Sequence, residues 1–296
     1  MAKPARYDPR ITPARPDLAA RHLEGKVEAA RFVDGDLREI GDAQAPLRHT
    51  PAPDAPLDTE ALKGERVTVY EMNEEGWAWG QLAADGYVGW LPTNALRPPG
   101  PAPTHKVVAL RTHLFPGPSI KLPPVDALSF GCRVVVMRVE GPLAVTPGGY
   151  VAARHLAPLD QVDPDMVAVA EKFSGVPYLW GGKTSLGIDC SGLVQVALDA
   201  CGLPCPRDSD MQERKLGKRL ALKPRFPALR RGDLLFWKGH VAIARDQATL
   251  IHANAFHMAV AIEPIKDAIA RIRAAGSEVT SVRRISPPPR RASRSG

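Results

Sequence analysis

Between His22 and about Pro99, apolar and polar positions alternate in short runs broken by turn signals. ERVTVYEM (65–72) and GWAWGQL (76–82) are separated by Asn-Glu-Glu, and GYVGWL (86–91) follows Ala-Asp. A period of two over runs this short predicts a meander of strands, as in a small barrel. PPGPAPT (98–104) reads as a linker by composition. After it the pattern recurs. Leu62-Lys63-Gly64-Glu65-Arg66-Val67-Thr68-Val69 is echoed by Ser129-Phe130-Gly131-Cys132-Arg133-Val134-Val135-Val136, and Gly86-Tyr87-Val88 by Gly149-Tyr150-Val151. Two copies of one small β-barrel, over 23–99 and 104–160, are expected. Trp77, Trp79 and Trp90 then belong to barrel core.

From Asp163 the period changes. Pro164, then Met166, Val167, Val169, Ala170 and Phe173, predicts an amphipathic helix closed by Gly175. A glycine-rich stretch, GVPYLWGG, leads to Asp189-Cys190-Ser191-Gly192 and an apolar helical run ending at Gly202. Strand patterns follow in DLLFW, HVAIAR, TLIHAN and VAIEPI, then a helix in DAIARIRAAG and a last strand in EVTSVRRI. Helices followed by consecutive strands predict an α+β domain over 161–285. Residues 1–22 read as an extended Pro- and Arg-rich arm and 286–296 as a basic tail.

Composition narrows the class. The 296 residues are 44% hydrophobic and 24% charged, ordinary for a globular protein. No run of about 18 apolar residues is present, so no membrane span is expected. The first residues lack an apolar h-region, which points to a cytoplasmic protein. The net charge of +7 and pI near 9.4 raise nucleic-acid binding. The excess is dispersed and carries no aromatic-studded basic helix, so no nucleic-acid partner is expected and an acidic small substrate suits the charge. Four cysteines are too few to staple this chain and read as reduced thiols. Cys201 and Cys205 lack a second ligand pair at zinc spacing, so neither a metal nor another cofactor is expected.

Cys190 stands where a glycine-rich loop becomes a helix, a position whose free N–H groups and positive helix end favour a thiolate. A buried apolar cysteine is the usual alternative, but Asp189 and Ser191 flank this one. The second element is a hairpin. The midpoint of His240 and His252 is residue 246, and an antiparallel pair centred there puts the two histidines directly opposite on one face, with Cβ atoms about 4.5–5.5 Å apart. One imidazole then orients the other, as a nucleophile's base requires.

Tyr178-Leu179-Trp180-Gly181-Gly182, Gly187-Ile188-Asp189-Cys190-Ser191-Gly192, and Gly232-Asp233-Leu234-Leu235-Phe236-Trp237 with Gly239-His240-Val241-Ala242-Ile243 together resemble the NlpC/p60 family of cell-wall peptidases. The upstream repeats resemble bacterial SH3 domains. The resemblance implies a papain-like catalytic domain preceded by two SH3-like barrels, with Cys190, His240 and His252 as a Cys-His-polar triad. One subgroup so built cleaves the γ-D-glutamyl–diamino acid bond of murein peptides carrying a free amino-terminal L-Ala. By that resemblance Tyr87 lines the pocket, Asp189 helps hold the substrate ammonium, and Tyr178, Trp180, Ser191 and the Arg207-Asp208-Ser209 stretch complete the subsites. An acidic partner from the first barrel is also implied, with Glu65 chosen over Glu74 or Glu75. An ammonium drawn from water needs an anion at close range, and Tyr178 with the Cys190 N–H could bind an oxyanion. Rival readings are a general hydrolase of intact wall, a lipid-acting papain-like acyltransferase, for which an apolar anchor is missing, and an inactive wall-binding protein.

Overall fold

In the computed structural model, residues 7–222 and 226–286 are described. The first six residues of the expected arm and the basic tail from 287 lie outside them. The chain forms two compact units, residues 1–161 with 180–186, and 162–179 with 187–296. Residues 180–186, expected within the catalytic segment, therefore group with the amino-terminal strands.

The amino-terminal unit holds a seven-stranded antiparallel sheet in the order Leu57–Leu62, Gln44–Arg48, Val88–Pro92, Trp77–Leu82, Arg66–Met72, Asp36–Ile40, Leu96–Arg97. The expected meander is its centre: Val67 faces Leu82, and Trp79 faces Trp90. Ile40, Leu47, Val67, Leu82 and Leu91 fill the interior, and burying side chains of this size contributes about 1.5–3 kcal/mol each.

The repeat has a physical counterpart. Gly64 and Gly131 hold φ of +79° and +88°, a conformation that glycine adopts without steric cost. A 3-10 turn, Thr93–Ala95 in the first copy and Ala153–His155 in the second, precedes the closing strand of each. The second copy arranges its strands in sheets of five and three. The arm is not simply extended. Leu18 is fully buried, and the Arg15 guanidinium lies 4.3 Å and 5.0 Å from the ring centroids of Trp79 and Trp90. A cation over an aromatic face gains electrostatic attraction, so the tryptophans both fill space and seat the arm.

Among its described residues the carboxy-terminal unit combines four helices, α1 Met166–Glu171, α2 Cys190–Ala200, α3 Ser209–Lys215 and α4 Ile265–Ala274, with one six-stranded sheet. Its order is Lys218–Leu220, Ser281–Arg284, Asp233–Trp237, His240–Ala244, Thr249–Asn254, Ala259–Pro264. Four strands run as the expected meander. The last strand instead returns to the opposite side of Asp233–Trp237, pairing Leu235 with Val282. α3 and Lys218–Leu220 are additions to the sequence reading. α2 is apolar nearly all round and almost wholly buried, the pattern of a core helix. It packs on His240–Ala244 and Thr249–Asn254 and ends at Gly202, with φ of +71°.

Candidate active site

The start of α2 is fixed by Asp189. Its backbone is extended and its carboxylate accepts the Gly192 N–H at 2.7 Å, an N-cap that satisfies an orphan donor of the first turn. Cys190 is thus the first helical residue, and its amide has no acceptor within the helix. Asp189 is also the partner of Arg207, whose guanidinium donates to both carboxylate oxygens at 3.0 Å and 2.7 Å. Ser191 donates to Asp189 at 3.2 Å and accepts from Arg207 at 2.8 Å. All three side chains are buried.

Asp189 and Ser191, both expected to meet the substrate, are thus also members of one internal network with Arg207. The burial of Arg207 requires a bidentate anion, and Asp189 supplies it.

Cys190 is buried, and the backbone amide of Val241, one residue beyond His240, lies close enough to favour its charged form. Burial pushes the Cys190 thiol up to about 12, with the Asp189 charge adding to it; the Val241 amide, Arg207 and the Ser191 amide oppose this. Burial also pulls His240 down to about 3, the neighbouring charges of His252 and Arg271 contribute, and Glu263 opposes. Both shifts favour the neutral forms, a thiol and an uncharged imidazole. Desolvation thus works against the thiolate that the helix end favours.

His240 and His252 lie on one face, but not directly opposite. The observed register pairs Ile243 with Ile251 and Ala244 with Leu250, a slip of two positions relative to a turn centred on residue 246. An even slip preserves the face and makes the histidines diagonal neighbours, still within reach of long side chains. Asp246 forces this turn by accepting the Ala248 and Thr249 amides at 2.7 Å each. His240 Nε2 and His252 Nδ1 are 2.8 Å apart.

The relay continues to a residue the sequence reading did not include. His252 Nε2 lies 2.7 Å from Glu263 Oε1, and Arg271 pairs with the same carboxylate. Burial opposes ionisation of Glu263, but the His252 hydrogen bond and the charges of His252 and Arg271 hold it below the usual carboxylate range. An ionised carboxylate only accepts, so His252 carries its proton on Nε2. His252 Nδ1 then accepts from His240 Nε2–H, which leaves the His240 Nδ1 lone pair to take a proton. In the sequence Glu263 shows only as an acidic residue within the strand pattern VAIEPI; the structure sets it opposite Leu250.

Tyr178 is half-buried and held by its amide, which donates to the Met258 carbonyl at 2.9 Å. Burial, then the charges of Cys190 and Asp189, push its phenol up to about 12. It stays protonated and can donate to an oxyanion. Ser209 opens α3, immediately after its N-cap Asp208.

The remaining expected residues lie in the amino-terminal unit. Trp180 is exposed at 68%. After it, Gly181 has φ of +76°, and a Cβ there would lie 2.5 Å from the Leu57 carbonyl oxygen, so only glycine fits. Tyr87 is buried in the first sheet's apolar cluster. Glu65, expected as an amine-binding carboxylate, accepts the Leu62 amide at 2.8 Å and pairs with Lys183 at 3.4 Å. Glu60 accepts the Lys183 amide at 2.8 Å, so two buried carboxylates fasten the 180–186 segment. Cys132, Cys201 and Cys205 are buried thiols.

The chemistry available is acyl transfer. In such a reaction a Cys190 sulfur attacking a carbonyl carbon would pass its proton to His240 Nδ1, the imidazolium would protonate the departing amine, and water drawn by His240 would release the acyl group. Comparison with known proteins agrees. Residues 47–96 match the bacterial dipeptidyl-peptidase Sh3 domain and residues 175–277 the NlpC/P60 family. A gamma-D-glutamyl-L-lysine dipeptidyl-peptidase of Bacillus cereus is 26% identical, over 84% of this chain and 90% of that protein. Dipeptidyl-peptidase 6 of Lysinibacillus sphaericus is 38% identical over 30% of this chain, which spans 32% of that protein's length. A solved NlpC/P60 family structure from Bacillus cereus, 22% identical, superposes with a TM-score of 0.70 over 86% of this chain and all of that one, and shows the same fold. The buried thiol, the histidine relay and the match across 175–277 together describe a cysteine peptidase whose catalytic segment is similar to the NlpC/P60 family and follows an SH3-like domain.

Proposed function

We propose that this peptidase cleaves the γ-D-glutamyl–diamino acid bond of murein peptides with a free amino-terminal L-Ala, releasing the dipeptide. One observation carries the reading. The similarity to a gamma-D-glutamyl-L-lysine dipeptidyl-peptidase extends over nearly the whole of both chains; it is not confined to the catalytic segment. A dipeptidyl-peptidase recognises the substrate's amino terminus, so the charged amine is part of what it selects. Such peptides arise when wall is broken down, which suits a recycling role in the cytoplasm. The Sh3 match over 47–96 supports the same class.

The test uses matched tripeptides, L-Ala-γ-D-Glu-diamino acid, with a free or acetylated amino terminus. Losing a charged contact in a dry subsite costs about 2–5 kcal/mol, so kcat/KM should fall about 30-fold or more on acetylation. Equal rates, or faster digestion of intact sacculi than of peptides, would show a general wall hydrolase instead.

A further inference from the structure

We propose that His252, His257 and Glu263 form a zinc-binding site, and that filling it switches the catalytic relay off. One donor atom from each of these residues lies within 4.8 Å of the others. Two histidines and a carboxylate are a donor set that zinc takes, leaving a fourth position for water. His257 is exposed on the turn 255–258, which closes at Met258 with φ of 51°. Its Nδ1 lies 3.0 Å from Asn254 Oδ1. That oxygen accepts, so the proton sits on Nδ1 and the lone pair on Nε2. Ligating histidines are commonly oriented by such a second hydrogen bond. Glu263 Oε1 takes His252 and Arg271, and Oε2 has no hydrogen-bond partner among the described residues. Arg271 opposes the cation and sets the affinity below that of a dedicated structural site.

The consequence follows from proton positions. Zinc on His252 Nε2 moves that proton to Nδ1, which then donates to His240 Nε2. The displaced His240 proton must sit on Nδ1, the atom that accepts the Cys190 proton. No proton is gained or lost by the two rings, but the base has lost its lone pair. The metal thus inhibits without touching the nucleophile.

Two measurements test this on the full chain. Zinc chloride should inhibit peptide cleavage reversibly, with activity restored by chelation. His257→Ala should keep basal kcat/KM within about twofold while needing at least tenfold more zinc for half-inhibition. Independently of activity, calorimetric titration of Cys190→Ala with zinc should show one site per chain, weakened at least tenfold when His257→Ala is added. The Cys190→Ala background removes the thiol as a competing ligand, and this arm reads out even if the peptide substrate is misassigned. Equal inhibition of wild type and His257→Ala, equal zinc binding by the two Cys190→Ala proteins, or full activity with zinc bound would overturn the proposal.

Discussion

Glu263→Gln tests whether the relay ends in a charge. The carboxylate is one imidazole removed from His240, joined by hydrogen bonds of 2.8 Å and 2.7 Å. At about 7 Å and an effective dielectric of about 20, it stabilises a His240 imidazolium by about 2 kcal/mol. Arg271, paired with the same carboxylate, cancels part of this. About 1–2 kcal/mol is left, so Glu263→Gln should lower kcat/KM about 5- to 30-fold. Glu263→Ala also strands the His252 Nε2–H, adding about 1–3 kcal/mol and a correspondingly larger loss. The sign of the pH effect is fixed. Glu263 opposes the lowering of both imidazoles, so its removal makes His240 still harder to protonate. The acid limb of kcat/KM should move to lower pH while the plateau falls. A purely structural Glu263 would lower the melting temperature without moving that limb. Rates within twofold of wild type for both variants, with an unchanged profile, would show that the relay stops at His252.

Cys190→Ala and His240→Ala should each reduce turnover to background with the fold intact by circular dichroism, whereas His252→Ala should leave a measurable rate because it orients and does not itself transfer the proton. With the thiol raised to about 12 and His240 lowered to about 3, both groups are neutral between those values. The pair should then contribute no inflection to kcat/KM between about pH 5 and 9, and iodoacetamide should alkylate Cys190 no faster than other buried thiols at pH 7; rapid alkylation or an inflection near pH 6.5 would restore a resting ion pair.

Periodicity made the elements legible, and a few special residues made the site legible. The runs at 65–72, 76–82 and 233–254 alternate because each buries one face or both, so their strands follow from composition. The hairpin shows the limit. A period of two determines which face His240 and His252 share but not the exact partner, and Asp246 moved the register by two without separating them. The desolvation of Cys190 was hidden because its local setting, a helix start, favours a thiolate, while the burial that opposes it comes from the whole unit. Glu263 was hidden because acidic residues on strands are common and its partner is eleven residues away. Gly181 offered a visible signal for the 180–186 segment, but which unit that segment joins depends on Glu60, Glu65 and Ser129, remote in sequence.

Asp189 decides how far specificity can be read from the nucleophile's neighbours. Its carboxylate caps α2, receives Ser191 and is gripped by Arg207, so its charge is already neutralised at close range. A substrate ammonium would have to compete with a buried guanidinium that cannot lose its proton. Asp189→Asn should therefore act on the scaffold. It breaks a buried pair and leaves Arg207 uncompensated, a change worth about 3–5 kcal/mol, seen as a lower melting temperature and a lower kcat as the start of α2 loosens. The ratio of kcat/KM for free over acetylated peptide should stay within about twofold of wild type. Arg207→Met should destabilise the protein by a similar amount. Adding it to Asp189→Asn should cost less than the sum of the two, because the double variant leaves no buried charge. If Asp189→Asn instead collapses the free-over-acetylated ratio while the melting temperature holds, the carboxylate meets the substrate amine directly and the Arg207 pairing is the lesser interaction.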